Sequence, residues 1–271
     1  MQLVERVSSR QNALVKRFRA LAQERDPREP HVLLDGAHLI DEALRSSIPI
    51  EIAAFAEEAA AGRLSPLVQR LERTGARTIA VAGPVFDSMS PVQHPSGVVA
   101  IGHLAAASLD DVMRQRPPLL LLLDGGQDPG NLGAIIRAAE ACGATGVIVG
   151  VGSADAFGWK ALRGAMGSSL RVPIVPRAVL TDAISLARAE NIRVFAAVPR
   201  NGTPLPECDL RSSAAIILGG EGAGLSPELA QSADATLTIP MQAPVESLNV
   251  AIASALVLYE ASRQRANVAV R

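Results

Sequence analysis

The chain has 271 residues, 48% of them hydrophobic, and its 26 Lys and Arg residues against 27 Asp and Glu residues leave a formal net charge of -1. This composition is typical of a globular protein of one or two domains and argues against intrinsic disorder. Two distant cysteines exclude a disulfide framework and a CxxC-type zinc site. The longest aliphatic run, 119–123, is far shorter than the ~20 residues of a membrane span. We therefore expect a cytoplasmic protein without a metal site.

Residues 1–103 alternate apolar runs, which predict strands, with amphipathic stretches, which predict helices. The predicted strands are Val32–Leu34, Ile50–Phe55, Thr78–Val81 and Val98–Ile101, and the predicted helices lie near 11–24, 37–45 and 62–73. Residues 1–30 carry seven basic and four acidic side chains, whereas residues 118–271 carry 12 basic and 13 acidic ones. Any surface that binds nucleic acid is therefore expected near the N-terminus.

The segment 104–117 contains small residues, charges and a Pro-Pro pair, so we predict that it links two domains. Beyond it, apolar strands are predicted at 119–123, 146–151, 192–198, 214–218 and 235–239, and helices near 129–142, 181–190 and 247–264. Strands that are apolar throughout are typical of a parallel sheet covered on both faces. The sequence therefore predicts a smaller α/β domain, 1–103, and a parallel-sheet α/β domain, 118–271.

The first of three polar segments at the ends of predicted strands follows the strand 119–123. It reads Asp124-Gly-Gly-Gln-Asp-Pro-Gly-Asn-Leu-Gly-Ala-Ile-Ile-Arg137, in which Asp128 can cap the next helix and Pro129 suits its first turn. Arg137 lies about 140° from Leu132 around that helix, off its apolar stripe. Arg137 is therefore free to face a cleft, and the alternative is a structural turn with a solvated arginine.

The second segment is Ala214-Ala-Ile-Ile-Leu-Gly-Gly-Glu-Gly-Ala-Gly-Leu225, an apolar strand followed by four glycines around one carboxylate. Its glycines do not have the GxGxxG order of a dinucleotide-binding loop, and the segment lacks the GK[ST] sequence of a P-loop. Two interpretations of Glu221 stay open. Its side chain is either solvated in a turn or reaches a partner across a cleft.

The third segment joins the predicted strand 235–239 to the last helix. It reads Ile239-Pro-Met-Gln-Ala-Pro-Val-Glu-Ser-Leu-Asn-Val-Ala-Ile-Ala, a Pro-bounded loop before a helix that opens at Glu246-Ser247. Ser247 is the predicted N-cap and Asn249 lies in the first turn, so both side chains can also be local capping groups and nothing more. The helix beyond is apolar on both sides, which predicts burial within the domain or against another subunit.

Together, the segments DPGNLGAIIR, LGGEGAGL and IPM…ESLNVAIA resemble the three motifs of the SpoU (TrmH) branch of the SPOUT methyltransferases. The resemblance covers most of 118–265. It implies a parallel-sheet domain with a trefoil knot, S-adenosylmethionine bound in the knot, and a homodimer that completes the active site. The implied reaction is transfer of the sulfonium methyl group to a ribose 2′-hydroxyl of RNA.

The resemblance also implies five catalytic residues and a set of residues whose backbone contacts the cofactor at strand ends. The catalytic candidates are Asn131, Arg137, Glu221, Ser247 and Asn249, and the cofactor candidates are Ala197, Leu218, Gly219, Gly220, Ile239, Met241 and Leu248. Arg137 is expected to orient the hydroxyl and the adjacent phosphate, because an arginine side chain normally stays charged, and acceptance of the hydroxyl proton by Arg137 stays the alternative. The other four are expected to hold Arg137 and the ribose, with Glu221 a candidate contribution from the neighbouring subunit.

The N-terminal sequences VSSRQNALVKRFRAL and HVLLDGAHLIDEAL resemble the substrate-binding domain of the ribosomal-RNA members, which usually have Glu-Gly where this chain has Asp35-Gly36. The resemblance implies RNA-phosphate contacts by side chains near the N-terminus, against the alternative of a solvated amphipathic helix. The candidates are Arg10, Asn12, Lys16, Arg17 and Arg19. We expect 23S ribosomal RNA as substrate, with transfer RNA, or a non-catalytic assembly factor that holds the cofactor, as alternatives.

Overall fold

The computed structural model describes residues 5–221 and 224–266. The chain divides into two compact units: residues 1–105 with 157–170 form the first, and residues 106–156 with 171–271 form the second. The expectation that 1–103 recognises RNA and 118–271 performs the chemistry, with 104–117 as linker, concerns function and stays a prediction. None of the described helices is long and apolar enough to cross a membrane.

The first unit contains a mixed sheet. Its strands are β1 (Arg6–Val7), β2 (His31–Asp35), β3 (Ile50–Ala56), β4 (Arg77–Val81) and β5 (Val98–His103), and its first helices are α1 (Ala13–Gln23), α2 (Ala37–Arg45), α3 (Glu57–Ala61), α4 (Ser65–Arg73) and α5 (Gly83–Phe86). The strand order is β1-β4-β3-β5-β2, in which β5 is antiparallel to both of its neighbours. Phe18 of α1 and Ile52 and Ile79 of the central strands are buried together in its core.

The predicted helix near 62–73 starts three residues too early. The observed helix, α4, begins at Ser65, and a proline in its first turn suits that position because it needs no N–H donor there. A separate short helix, α3, precedes it, ends at Ala61 and has Gly62 as its C-cap, and the apolar pattern does not predict this helix. The predicted strands 32–34, 50–55, 78–81 and 98–101 are confirmed to within two residues at each end.

The remaining elements include a second sheet. In chain order they are α6 (Leu109–Met113), β6 (Leu119–Asp124), α7 (Pro129–Ala141), β7 (Gly146–Gly150), α8 (Trp159–Ala165), β8 (Ile174–Ala178), α9 (Leu180–Ala189), β9 (Arg193–Ala197), β10 (Thr203–Pro204), β11 (Ala214–Gly219), α10 (Pro227–Gln231), β12 (Ala235–Thr238) and α11 (Val250–Ala266). All belong to the second unit except α8, which belongs to the first.

The seven described strands of the second unit are all parallel, in the order β10-β12-β9-β11-β6-β7-β8. The prediction of a parallel α/β sheet is therefore confirmed. The central strands β6 and β11 are buried along their apolar residues, as expected for strands covered on both faces. On the sheet, α7 and α11 pack against each other, so the first and third polar segments are held side by side.

The prediction that Ser247 is the N-cap of the last helix is wrong. The helix begins at Val250, and the side-chain oxygen of Asn249 accepts a hydrogen bond from the backbone N of Ala251 at 2.9 Å. Asn249 therefore caps α11, while Ser247 lies exposed in the preceding loop. Serine and asparagine are almost equally good N-caps, so capping chemistry alone does not choose between the two positions.

Candidate active site

The carboxyl ends of β6 and β11 lie next to each other at one edge of the sheet. Pairing of these two parallel strands places Gly219 beside Asp124, and a glycine-rich segment follows each of them. In open parallel sheets, ligands bind outside the carboxyl ends of the strands. This edge is therefore the candidate site, and α11 brings the third segment to it through its packing on α7.

Three of the five predicted catalytic residues form a chain of hydrogen bonds at this edge. The side-chain amide of Asn131 donates to Oε1 of Glu221, and the side-chain amide of Asn249 donates to Oδ1 of Asn131 at 3.3 Å. Each residue comes from a different one of the three polar segments. Because the amide of Asn131 faces a carboxylate on one side and a donor on the other, its orientation is fixed.

The start of α7 positions Asn131. Asp128 is the N-cap, and its Oδ1 accepts a hydrogen bond from the backbone N of Asn131 at 2.7 Å. Pro129 occupies the first turn, where its missing N–H has no cost. A Cβ atom on Gly130 would lie 3.0 Å from the capping oxygen, so glycine leaves room for the cap. The DPGN sequence thus fixes the backbone from which the Asn131 side chain projects.

Gly219, which ends β11, and Gly220, which follows it, allow the loops after β6 and β11 to approach closely. A Cβ atom on Gly219 would overlap the backbone of Gly224 and Leu225, and one on Gly220 would lie 2.7 Å from the carbonyl carbon of Gly125. The backbone N of Gly224 donates to the carbonyl of Gly220 at 3.2 Å, so the chain folds back tightly here. Backbone packing is therefore a second reason for glycine at these positions, besides the expected room for an adenine ring.

Arg137 and Ser247, the other two predicted catalytic residues, are not part of the hydrogen-bonded chain. Arg137 is exposed on α7, about 120° around the helix from Asn131, and its guanidinium has no hydrogen bond or ion pair with a residue that the structure describes. Ser247 is also exposed and lacks a hydrogen bond to the described part of the chain. Within one chain, the structure brings Asn131, Glu221 and Asn249 together and leaves Arg137 apart.

Two polar residues that the sequence analysis missed line a small cavity together with Asn131 and Glu221. Asp124 accepts a hydrogen bond from the backbone N of Ser226 at 3.3 Å, which ties the end of β6 to the loop after β11. The hydroxyl of Ser153 is buried and has no hydrogen-bond partner among the described residues. Asp124, a carboxylate that ends an apolar strand, could have been singled out from sequence; Ser153 lies in a small-residue loop and gives no such signal.

The predicted cofactor residues lie at the carboxyl ends of three adjacent strands, because β9 lies between β11 and β12. Ala197 ends β9, Leu218 and Gly219 end β11, Ile239 directly follows β12, and Gly220, Met241 and Leu248 belong to the loops that follow. All except Leu218 are partly exposed. Small or apolar residues at open strand ends leave backbone donors and acceptors accessible beside apolar surface, which suits an adenosine group.

Several predicted RNA-contacting residues have partners within the first unit. The side chain of Asn12 accepts a hydrogen bond from the backbone N of Leu14 at 2.8 Å and so caps α1. Arg17 forms a two-point ion pair with Glu51, and this pair holds the pKa of the Glu51 carboxyl below its usual range. Arg10 donates to a backbone carbonyl at 3.0 Å. These three side chains therefore have structural roles.

Lys16 and Arg19 differ from these three. Both are exposed and lie three residues apart on α1, so they project from one side of the helix. Neither makes an ion pair or hydrogen bond with any residue in the described ranges. The buried side of α1 is apolar, with Val15 and Phe18 in the core. The free basic face of α1 is thus Lys16 and Arg19.

Both parts of the chain match known protein families. Residues 118–259 match the SpoU rRNA Methylase family, and residues 12–100 match the MRM3-like substrate binding domain. The first match contains the whole hydrogen-bonded chain of Asn131, Glu221 and Asn249. The second contains Lys16 and Arg19.

Relatives and solved structures extend the similarity over almost the full length. The chain is 33% identical to the Bacillus subtilis 23S rRNA (guanosine(2553)-2′-O)-methyltransferase RlmP, covering 94% of this chain and 98% of that protein, and 33% identical to the Bordetella pertussis 23S rRNA (guanosine-2′-O-)-methyltransferase RlmB, covering 75% and 84%. An AdoMet-bound rRNA methyltransferase from Sinorhizobium meliloti superposes with a TM-score of 0.85 at 31% identity, covering 97% of this chain and 98% of that one. The chain therefore belongs to the SpoU rRNA methylase family.

Proposed function

We propose that this protein transfers the methyl group of S-adenosylmethionine to a ribose 2′-hydroxyl of 23S ribosomal RNA. The observation that carries this proposal is the hydrogen-bonded chain of Asn131, Glu221 and Asn249, which joins the three motif segments at the carboxyl edge of the sheet. The similar RlmP and RlmB proteins are 23S rRNA ribose methyltransferases by name. Because the substrate is ribosomal RNA, we place the protein in the cytoplasm.

The ends of β9, β11 and β12 and the loop 239–249 would hold the cofactor. When bound there, S-adenosylmethionine supplies an electrophilic methyl group on a sulfonium centre. Gly219 and Gly220 keep the loop after β11 close to its neighbours, and Ile239 and Met241 contribute apolar surface where the chain leaves β12. The knot implied by the resemblance would be closed by this loop, which leads to α11.

The residues of this chain act mainly by positioning the RNA. A ribose 2′-hydroxyl is a poor nucleophile at neutral pH, so holding it in line for displacement lowers the barrier substantially. Asn131 is fixed by Glu221 and Asn249 and offers a preorganised amide at the site. The permanent charge of Arg137 orients the hydroxyl and its phosphate and stabilises the negative charge that develops on the oxygen.

We further propose that the active form is a homodimer. Ile252, Leu256 and Tyr259 are 54%, 41% and 63% exposed, and their spacing of four and three residues places them on one face of α11. Three large apolar side chains in one exposed row are typical of a protein interface. A second copy packed on this face would also explain why Arg137 has no partner in its own chain, since the neighbouring subunit would bring it to a site.

Ribosomal RNA is favoured over transfer RNA because the first unit matches a substrate-binding domain and carries Lys16 and Arg19 as free cations.

To test the substrate, purified full-length protein is incubated with methyl-tritiated S-adenosylmethionine and, separately, 23S rRNA, 16S rRNA and bulk tRNA from a strain that lacks the gene. We expect label in 23S rRNA. Label in tRNA alone would support the transfer-RNA alternative, and cofactor binding without any label would support the non-catalytic one.

A further inference from the structure

Arg177 lies in an irregular part of β8, close to the carboxyl edge of the sheet. β7 and β8 pair as Ile148 with Val175 and as Gly150 with Ala178, so three steps along β8 face two steps along β7. The extra residue produces a β-bulge next to Arg177. Bulges change the direction of a side chain and are common beside active sites.

The backbone of Arg177 is left-handed, with a φ of 52°. The other described non-glycine residues with positive φ lie at helix ends or in a turn, and two of them are asparagines, which adopt this conformation more readily. Arg177 instead lies within a strand. Strain of this kind is stored mainly where it serves to aim a functional group.

The guanidinium of Arg177 is exposed and has no partner among the described residues. Most other arginines of the second unit are paired, as Arg211 is with Asp209 at 2.9 Å. Within the described part of that unit, Arg137 and Arg177 alone lack an ion pair, a hydrogen bond and a ring contact. Arg177 therefore resembles Arg137, the predicted catalytic arginine, in carrying a charge that no described residue pairs with.

The loop that follows β7 contacts both the end of β8 and the candidate active site. The backbone N of Val151 donates to the carbonyl of Ala178 at 3.1 Å, and the backbone N of Ala154 donates to the carbonyl of Gly126 at 2.7 Å. Gly126 and the loop residue Ser153 line the same cavity as Asn131 and Glu221. Because β8 is two strands from β6, its end lies about 10 Å along the edge from the end of β6, a distance that neighbouring nucleotides of one RNA strand can span.

Two exposed valines lie at this edge near Arg177. Val179 follows it by two residues and is 53% exposed, and Val151 follows the neighbouring strand and is 57% exposed. A planar guanidinium binds phosphate oxygens at two points, and exposed apolar side chains beside it can pack against a base. The combination matches one nucleotide unit of single-stranded RNA.

We propose that Arg177 binds a phosphate of the substrate RNA one or two nucleotides from the methylated ribose, with Val151 and Val179 against the adjacent base. This inference rests on the proposed function, because it requires RNA at the carboxyl edge of the sheet. Arg177 is then a positioning residue: it holds the strand so that the target ribose stays at the Asn131–Glu221 site. The left-handed backbone lowers the stability of the fold, and it aims the guanidinium at the RNA strand.

The test compares Arg177→Gly, Arg177→Ala and Arg177→Lys in the full chain, with Arg211→Ala as the control because Arg211 is paired. Glycine adopts the left-handed backbone without strain, so Arg177→Gly is expected to raise the melting temperature and at the same time weaken RNA binding. We expect the Kd for a 23S rRNA fragment to rise about tenfold for the Gly and Ala variants. The slope of log Kd against log salt should fall by about 0.7, with S-adenosylmethionine affinity unchanged.

Arg177→Lys keeps one charge and should restore the salt slope while recovering only part of the affinity. If Arg177→Gly and Arg177→Ala bind the RNA fragment as tightly as the wild type, the proposed role of Arg177 is wrong. The proposed methyltransferase function still stands in that case, as long as the wild type methylates RNA. If the wild type binds RNA but transfers no methyl group, the proposed function fails, and the affinities still decide the role of Arg177. A lower melting temperature for Arg177→Gly would contradict the strain argument.

Discussion

The side-chain amide of Asn249 donates a hydrogen bond at 3.3 Å to Oδ1 of Asn131, a residue 118 positions earlier in the chain. The oxygen of the same Asn249 amide caps α11. One side chain therefore fixes both the start of the last helix and the orientation of Asn131, which in turn donates to Glu221. The helix start and the candidate site are coupled through a single residue.

Asn249→Asp separates these two roles. Aspartate caps a helix as well as asparagine does, so the melting temperature should stay close to that of the wild type. Its ionised carboxylate has no proton to donate to Asn131 and brings a second negative charge towards Glu221. We expect kcat to fall by about 10²-fold, in the range for losing one preorganised donor. Asn249→Ala is the control, and it should lose both activity and about 1 kcal/mol of stability. Full activity of the Asp variant would show that the amide donor is dispensable.

Arg137→Ala should remove methyl transfer while leaving S-adenosylmethionine affinity nearly intact. Arg137 is exposed on α7 and has no partner in the described part of its own chain, so its removal should not disturb the fold. We expect kcat/KM to fall by about 10²- to 10³-fold, with cofactor affinity measured by calorimetry. Arg211→Ala, which removes an exposed arginine paired with Asp209, is the matched control. Turnover close to the wild type would refute the assignment of Arg137.

RNA binding should depend on Lys16 and Arg19 more than on Arg17. Replacing both Lys16 and Arg19 by Glu removes two free cations and should reduce the slope of log Kd against log salt by about 1.4, with little change in stability. Arg17→Glu instead breaks the ion pair with Glu51, so its main effect should be a loss of about 1 kcal/mol of stability or less. Filter binding at several salt concentrations and thermal melts measure both effects. If Arg17→Glu weakens RNA binding more than the double variant does, the assignment of Lys16 and Arg19 as the main RNA contacts is wrong.

Disrupting the exposed row on α11 should dissociate the protein. Sedimentation of the wild type at micromolar concentration is expected to give about twice the chain mass of 28.2 kDa. Ile252→Glu combined with Leu256→Glu places two charges on the apolar face and should give monomers without methyl-transfer activity. Ala189→Glu, at an exposed position of α9, is the control and should remain dimeric. A wild-type monomer with full activity would contradict the dimer proposal.

Much of the fold follows from local patterns in the sequence. Buried parallel strands such as β6 and β11 are continuous apolar runs, and α7 begins where the DPGN sequence provides a cap and a proline. The apolar pattern does not predict β8, because Pro176 and Arg177 interrupt it, Pro173 directly precedes it and its bulge breaks the regular alternation. The placement of 157–170 with the first unit depends on long-range packing, which periodicity does not reveal.

Local sequence patterns indicate less of the candidate site than of the fold. Glu221 and Asn249 lie 90 and 118 positions after Asn131, and each of the three alone can be a solvated or capping residue. From the sequence, only the resemblance to the family motifs groups these three residues. The ion pair between Arg17 and Glu51 is also long-range, so the sequence could not separate Arg17 from the free cations Lys16 and Arg19.

The central claim is that the methyl group is transferred to a ribose 2′-oxygen of 23S rRNA. The most direct measurement is nucleoside mass spectrometry of 23S rRNA from a strain lacking the gene, after incubation with purified protein and S-adenosylmethionine that carries a deuterated methyl group. We predict that the label appears in a single 2′-O-methylnucleoside, with the sugar fragment carrying the added mass. Label on a base, or no label under conditions where the protein binds both the RNA and the cofactor, would contradict the claim.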